Sequence, residues 1–425
     1  MAAPIALSAD QSGPPRATPY GWAVFALSFG LLISDYMARQ VLNAIFPLLK
    51  AEWHLSDARL GLLSGVVAVM VGLLTFPLSL AADRLGRVRS LCAMAIVWSL
   101  ATLLCSAARD YPEMLIGRAL VGVGEAAYGS VGIAVVISVF PQRLRATLAA
   151  AFMAGGLFGQ VLGVALGAQI AASHGWRAAF AAIGLAGLAL GVIYPLVVRE
   201  SHIRDLVGST VAAQGSTATR LPLRALFASR SVRFAYLGSG LQMFAAGALP
   251  AWLPSYLGRY YALPVDRAGR TAALLLLTCG LGMVVCGQIS DRLARGRPEA
   301  KITLAMAYAI GAAGSLLAAL LLPPGTAQLA LLALAMFLVA GTTGPAGAMV
   351  ANLTPLAIHG SAFATLTLAN NLLGLAPGPI LVGRIADASN LLTAFRLLPL
   401  PCLAAAGAFY AMRRTYLADL KHPAD

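Results

Sequence analysis

Twelve runs of apolar residues cover most of this chain, and each is near or above the ~20 residues that a helix needs to cross a bilayer. With 59% hydrophobic and only 11% charged residues, a chain of 425 residues cannot form a water-soluble globule. The runs show continuous Leu, Ala, Val and Gly instead of the alternation typical of a membrane barrel. They predict an all-α membrane protein with twelve transmembrane helices at 20–46, 58–81, 90–108, 112–139, 146–172, 177–198, 232–258, 268–289, 300–322, 327–353, 361–385 and 391–411.

Two polar stretches divide the chain. The first eighteen residues lack the basic start and apolar middle of a cleavable signal peptide, so 1–18 is predicted to be a disordered tail. A second polar segment, 199–230, separates six spans from six and is predicted to be a linker. The two halves are then candidate repeats: a six-helix bundle at 19–198 and a second one at 231–412, followed by a tail at 413–425.

The distribution of cations predicts the orientation. Of the thirty Lys and Arg residues, nineteen fall in the tails and even-numbered loops, eight in odd-numbered loops and three inside spans. Because cytoplasmic loops carry the excess of cations, both termini and the linker are predicted to be cytoplasmic. The formal net charge of +14 is spread over short loops at one leaflet, so we expect membrane lipids with anionic headgroups to be its partner, and no nucleic acid.

A short charged motif occurs twice, as AADRLGRVR at residues 81–89 and as ISDRLARGR at residues 289–297. Both copies fall in a predicted cytoplasmic loop at the same place in each half. An Asp at a helix end followed by arginines can join two neighbouring helices by charge-assisted hydrogen bonds. We predict a cytoplasmic gate of this kind, and the alternative is that its arginines only determine topology. Its residues are Asp83, Arg84, Gly86, Arg87, Asp291, Arg292 and Arg295.

These loops resemble the signature G-x-L-a-D-R-x-G-R-[KR] of the major facilitator superfamily. Ser79 stands where the first glycine of the signature belongs, and Ala294 replaces the later glycine in the second copy. The resemblance extends over nearly the whole chain. It implies two pseudo-symmetric six-helix bundles around a central cavity that opens alternately to each side of the membrane.

Glycines recur every four residues in the predicted fifth span, at Gly155, Gly159, Gly163 and Gly167. This spacing aligns them on one helix face and permits the close approach of a neighbouring helix. In the major facilitator superfamily a glycine-rich fifth span lies between the bundles, which implies a hinge as the alternative to plain helix packing.

Four charged residues lie deep inside predicted spans: Asp35 and Arg39 in the first, and Arg118 and Glu125 in the fourth. Burying a charge in a membrane is costly, and each pair has a spacing that shares one helix face. In the family both spans line the cavity, which implies one network. A carboxylate there is neutralised by a proton or by an arginine. We predict Glu125 first and Asp35 second as proton-coupling groups, with Arg39 and Arg118 as their partners. The alternative is permanent ion pairs that only hold the helices together.

Three segments resemble the Spinster-like lipid transporters and their bacterial relatives: YMARQVLNAIFPLLKAEWHLSDARLGLLSG, GRALVGVGEAAYG and APGPILVGRIAD. That branch typically has an acidic residue directly before the first-span arginine. This chain has Ala38 there, and its carboxylate lies about one turn earlier, at Asp35. The resemblance implies a substrate similar to lysophospholipids or sphingoid lipids, in a cavity with one charged and one apolar end.

Aromatic and amide side chains inside the spans are the other candidates for the substrate cavity, although amides there also join helices to each other. They are Tyr36, Tyr128, Gln242, Phe244, Trp252, Asn370 and Asn371.

The first hypothesis is a secondary active transporter, driven by protons, for an amphipathic or lipid-like solute. The second is a proton-coupled carrier of a small organic anion or a drug/proton antiporter, and the third is a membrane enzyme or a channel. An enzyme would need a nucleophile with a base or a metal cluster, but all five histidines are predicted in loops or tails. No Walker sequence indicates use of ATP. We therefore expect no enzyme activity, no cofactor and no metal, in a monomer of the bacterial inner membrane.

Overall fold

A computed structural model describes residues 18–201, 226–227, 229–295, 297, 299–355 and 358–421. All regular structure in these residues is helical. The predicted tail 1–18, apart from Thr18, and most of the predicted linker lie outside the described residues. The hydroxyl of Thr18 accepts a hydrogen bond from the Gly21 amide at 3.1 Å, so it caps the start of the first helix.

The first half of the chain forms six antiparallel helical segments. The fourth is broken at Ala126 and Ala127, directly after Glu125. The helices are α1 (Pro19–Trp53), α2 (Asp57–Leu85), α3 (Arg87–Ala107), α4 (Tyr111–Glu125), α5 (Tyr128–Ser138), α6 (Gln142–His174) and α7 (Trp176–Val197).

The second half repeats this plan with more interruptions. One π-helical turn, Asn371–Leu375, lies just before two prolines of the eleventh segment. The helices are α8 (Arg230–Tyr260), α9 (Val265–Leu293), α10 (Ala300–Leu321), α11 (Thr326–Ala340), α12 (Thr343–Leu353), α13 (His359–Asn370), α14 (Pro377–Ala388), α15 (Leu391–Arg396), α16 (Pro399–Arg413) and α17 (Tyr416–Lys421).

Eleven helical segments in the described part of the chain are long and apolar enough to cross a membrane. The exception is α8, which corresponds to the predicted seventh span at 232–258. It has 31 residues, but Gly, Ser, Pro and aromatic residues replace much of the aliphatic sequence. Most of α8 is buried among other helices, so its surface does not need the long aliphatic side chains that a lipid-facing helix carries.

The two halves meet along two pairs of helices. Within the first half, α1 packs on α6, and α3 packs on α4 and α7. Within the second half, α16 packs on α8 and α10. Contacts between the halves join α2 to α14 and α6 to α9. We call the end with the α2–α3 and α9–α10 turns the linker end. The opposite end, with the α1–α2 turn at 54–56 and the α8–α9 turn at 261–264, is the far end.

The glycine face of α6 packs on α1. A Cβ atom added at Gly159 would lie 2.5 Å from the carbonyl oxygen of Ile33 and 2.7 Å from the Cβ of Tyr36. At Gly163 it would lie 2.8 Å from the Cα of Met37. The four glycines therefore permit close packing inside the first half.

A different face of α6 meets the second half. Gly269 of α9 contacts Ala168 and Val164, and Gly280 contacts Leu157. A hinge between the halves would require the glycine face to lie at their interface. In this structure the glycine face is covered by α1, a helix of the same half.

Candidate functional site

A cavity of about 480 Å³ lies at mid-height between the two halves. Residues of α1, α2, α6, α8 and α9 line it, together with residues at the breaks of the tenth and eleventh segments. We call the polar residues of its lining the polar wall and its residues rich in methionine and leucine the apolar wall. The polar wall contains Tyr36, Arg39, Gln40, Asn43 and Gln160, and the apolar wall contains Met153, Leu157, Met243, Leu276 and Met283.

Arg39 of α1 and Glu125 of α4 form an ion pair at the edge of this cavity. The distance from Arg39 Nη2 to Glu125 Oε2 is 2.8 Å, and Arg39 Nε donates to the same oxygen at 2.9 Å. The side chain of Arg39 is 22% exposed, whereas that of Glu125 is 2% exposed. Arg39 also lies over the ring of Tyr36, 5.7 Å from its centroid. One guanidinium therefore faces both a buried carboxylate and the cavity.

Asp35 lies beside this pair. It is buried, and it is close enough to Glu125 and Arg39 for their charges to interact. Apart from the contact between the two carboxyl groups themselves, the Oδ1 of Asp35 and the Oε1 of Glu125 have no hydrogen-bond partner among the described residues. Two buried carboxyl groups thus share the surroundings of one arginine.

Arg118 is also buried here, but it contacts the main chain. Its Nη1 donates to the carbonyl of Ala38 at 2.8 Å, its Nη2 to that of Arg39 at 3.0 Å, and its Nε to that of Leu63 at 3.4 Å. Arg118 was predicted to pair with charged groups in the cavity. In this structure its hydrogen bonds go to main-chain carbonyls instead. The residue is fully buried and holds α1 in place beside Arg39.

Three amide side chains extend the polar wall. Asn43 Nδ2 donates to Gln40 Oε1 at 2.6 Å, and Gln40 Nε2 donates to Gln160 Oε1 at 3.4 Å. The sequence pattern did not single out these residues. Their spacing in the sequence could have identified them as cavity residues. Gln40 and Asn43 lie four and seven residues after Tyr36 and therefore on the same helix face.

Of the seven predicted cavity residues, Tyr36 lines the cavity and six are bound elsewhere. Tyr128 donates to the carbonyl of Ser28 at 2.8 Å, Gln242 to that of Val339 at 3.4 Å, and Trp252 to that of Pro379 at 3.0 Å. These three side chains are fully buried.

The two predicted asparagines form hydrogen bonds within the second half, Asn370 to another helix and Asn371 to the preceding turn of its own segment. Asn370 Oδ1 accepts from Ser239 Oγ at 2.7 Å, and Asn371 Nδ2 donates to the carbonyl of Thr367 at 2.9 Å. Phe244 is half-buried in the apolar core. In this structure these six side chains contact other parts of the protein and do not line the cavity, and their role as cavity lining stays a prediction.

An ion cluster joins the halves at the far end. The carboxylate of Asp57, at the start of α2, accepts from Lys50 Nζ at 2.6 Å. It also accepts from Arg259 Nη1 at 2.6 Å and from Arg259 Nη2 at 2.7 Å. Lys50 and Asp57 belong to the first half and Arg259 to the second. The bidentate arginine contact is the strongest type of polar link between the halves that is described here.

A second carboxylate crosses the same interface. Asp387, at the end of α14, accepts hydrogen bonds from the amides of Asp57 at 2.7 Å and Ala58 at 2.8 Å. These amides begin α2, where a negative charge is favourable because the N-terminal amides are otherwise unpaired. We call Lys50, Asp57, Arg259 and Asp387 the far seal.

The repeated motif lies at the linker end, and the structure describes a carboxylate contact for its second copy. The side chain of Asp83 lies outside the described part of the chain, and its role in a gate remains a prediction. Asp291 is 73% exposed and pairs with Lys301 of α10 at 3.1 Å, so the partner that joins neighbouring helices is a lysine. Arg84, Arg292 and Arg295 are exposed.

Glu200 provides the carboxylate at the start of α3. It accepts hydrogen bonds from the amides of Arg87, Val88 and Arg89 at 3.1, 2.8 and 3.2 Å. Gly86 precedes them with a φ of +101°, which favours glycine, and a Cβ atom there would lie 2.9 Å from the Glu200 carboxyl group. Gly86 is therefore required by backbone conformation and by space.

Comparison with known proteins agrees with this architecture. Residues 27–379 match the Major Facilitator Superfamily. The gallate transporter of Pseudomonas putida is 30% identical over 321 residues, which cover 69% of each chain. Protein spinster homolog 1 of Bos taurus is 28% identical over 406 residues, 89% of this chain and 76% of that one. A crystal structure of a bacterial homologue of the human lysosomal transporter Spinster, in an inward-facing and occupied conformation, superposes with a TM-score of 0.81 at 19% identity. It covers 95% of this chain and 98% of its own.

The helical segments, the paired halves and the cavity between them define a multi-pass membrane transporter. The chain belongs to the Major Facilitator Superfamily, and it resembles the Spinster-like branch of that family.

Proposed function

We propose that this transporter is a secondary active carrier that couples an organic solute to protons by alternating access. The observation that supports this proposal most directly is the position of Arg39, whose guanidinium binds Glu125 and is also exposed to the cavity. A solute anion and Glu125 would compete for the same cation.

Protonation of Glu125 would remove this competition. A neutral carboxyl group binds the guanidinium more weakly than a carboxylate, so Arg39 becomes available to the solute when Glu125 takes up a proton. Asp35, which lies beside both, is the second proton-coupling group. The proton and the solute then both favour the state in which Arg39 has left Glu125. Because this state is bound more tightly, the equilibrium between the two open forms of the transporter shifts.

The cavity favours an amphipathic solute. Its charged or polar end would lie against Arg39 and the amides of Gln40, Asn43 and Gln160, and its apolar part against the methionine-rich wall. A lipid-like molecule fits this division, as the resemblance to Spinster-like proteins implies. A compact organic anion is the second candidate, because about 480 Å³ also holds an aromatic acid and the P. putida relative is a gallate transporter.

The test is transport in proteoliposomes with an imposed pH gradient, using a lysophospholipid and gallate as solutes. We expect the wild type to move one of them uphill, and Glu125→Gln to lose uphill movement while it retains exchange without a gradient. Glu113→Gln is the matched control, because Glu113 is an exposed carboxylate of the same helix. Uphill transport by Glu125→Gln would show that its carboxyl group does not couple protons.

Asp35→Asn separates the two carboxyl groups. If Asp35→Asn alone abolishes uphill transport and Glu125→Gln does not, Asp35 is the coupling group. If neither changes the dependence on the gradient, the ion pairs are structural and the proton-coupled mechanism is wrong.

A further inference from the structure

A second pocket, of about 380 Å³, lies between the halves at the far end. It is formed by the last turns of α1, the last turns of α8 and the beginning of α9. It shares no lining residue with the central cavity. Lys50 and Arg259 of the far seal both line it.

Two cations of this pocket share a single carboxylate, that of Asp57. Lys50 and Arg259 both donate to Asp57, and their side chains remain 40% and 31% exposed. Asp387 uses its two oxygens on main-chain amides of α2, and within the described part of the chain it forms no ion pair with either cation. Two basic side chains that share one acidic partner retain donors for a further anion.

Ser255 gives independent support for a ligand. It lines the pocket and is fully buried, and its hydroxyl has no hydrogen-bond partner among the described residues. A buried hydroxyl without a partner is unfavourable unless something else pairs with it. The other walls are apolar, with Pro47, Pro254 and Val265 among them, and would cover a carbon skeleton.

We propose that this pocket is a second binding site for an organic carboxylate with a compact apolar body. The carboxylate binds Lys50 and Arg259, and the hydroxyl of Ser255 donates to the ligand. Because the ligand competes with Asp57 for both cations, binding weakens the far seal and favours separation of the halves at that end. The inference rests on the proposed transport of an organic anion and adds a site that such a solute occupies before or after the central cavity.

The first experiment counts binding sites with gallate as the probe. The full chain is placed in phosphatidylcholine nanodiscs and titrated by calorimetry. We expect two gallate sites in the wild type, one after Arg39→Gln and one after Lys50→Gln. Lys301→Gln, which removes a paired lysine at the linker end, is the matched control and should retain two. A single wild-type site that Arg39→Gln abolishes, or no gallate binding at all, would overturn the proposal.

Ser255→Ala provides a variant that leaves the ion cluster intact. Loss of one hydrogen bond should weaken the far site by about 5- to 10-fold without changing the central site. This variant is measured in the Arg39→Gln background, where only the far site remains. An unchanged affinity would contradict the role of the Ser255 hydroxyl and the pocket as the location of the second site.

A lipid phosphate is the other source of an anionic group. Nanodiscs that contain phosphatidylglycerol test this source, because an occupied headgroup site would exclude gallate from the far pocket. Gallate binding that survives phosphatidylglycerol supports a dissolved organic acid, and its loss overturns that assignment. Uphill transport by the wild type tests the proposed function separately, since it depends on the central carboxyl groups and not on the number of gallate sites.

Discussion

Arg39 and Arg118 have the same side chain and lie within one region of the membrane, but their surroundings differ. Arg39 is partly exposed and binds a carboxylate, whereas Arg118 is fully buried and donates to main-chain carbonyls. In the proposed mechanism Arg39 exchanges one partner for another during a transport cycle. Arg118 supports the segment of α1 on which Arg39 lies.

We expect Arg118→Met to lower thermal stability strongly. The substitution removes three hydrogen bonds from a charged donor, each worth about 1.5–3 kcal/mol, and leaves buried carbonyls without that donor. The melting temperature of the detergent-solubilised protein measures the effect. Arg396→Met is the control, because Arg396 makes one described hydrogen bond, to the carbonyl of Leu320 at 3.3 Å. Equal losses in the two variants would contradict the supporting role of Arg118.

Single residues could be predicted where their chemistry is unusual for their position. Asp35 and Glu125 were identifiable because carboxylates are rare inside apolar runs. Asp57 was not, because an acidic residue at the start of a helix is common and needs no distant partner. Its partner Arg259 lies 202 residues away, and only the folded chain brings the two together.

At the scale of helices, the contact of α6 with α1 determines the shape of the polar cavity wall. Gly159 lies against Ile33 and Tyr36, and Tyr36 lines the cavity one turn before Arg39. The distance between these two helices therefore affects both packing and the site.

We expect Gly159→Ala to reduce folded yield and transport together. The added methyl group would lie 2.5 Å from a main-chain oxygen, so α1 and α6 must move apart and displace Tyr36. Gly407→Ala in α16 is the control, because a Cβ atom there meets nothing within 4 Å and alanine favours a helix. Size-exclusion yield and proteoliposome uptake measure both variants. Normal uptake by Gly159→Ala would show that this close contact is dispensable.

The positions of the helices were predictable because long apolar runs leave few alternatives. The breaks inside them were not equally predictable. Ala126 and Ala127 are good helix formers, yet the fourth segment is interrupted there, so tertiary contacts override local preference. The π-helical turn of the eleventh segment has a local signal, since Pro377 and Pro379 follow it.

At the scale of the whole molecule, the two halves are held together at the far end by charge and by close helix packing. Gly269 of α9 lies against Ala168 of α6, near the level of the far seal. The repeated motif indicated two related halves in the sequence. It did not indicate which end is closed, because one sequence adopts every state of an alternating-access cycle.

We expect a disulfide between cysteines introduced at Ala168 and Gly269 to stop transport. The two positions are in contact, so the bond can form with a small helix shift and would prevent the far end from opening. Proteoliposome uptake should fall after treatment with copper phenanthroline and return after dithiothreitol. Each single-cysteine variant controls for the five native cysteines. Undiminished uptake by the oxidised double variant would mean that the halves do not separate at this contact.

The composition of α8 has a consequence for biosynthesis. This helix is less aliphatic than the other segments, and its Ser, Gly and Pro residues are covered by neighbouring helices. As it leaves the ribosome it therefore has a weaker tendency than its neighbours to partition into lipid from the insertion machinery. Its integration would depend on later segments, α16 above all, since α16 packs along it. A nascent chain that ends soon after Tyr260 should be degraded more rapidly than one that extends through Arg413.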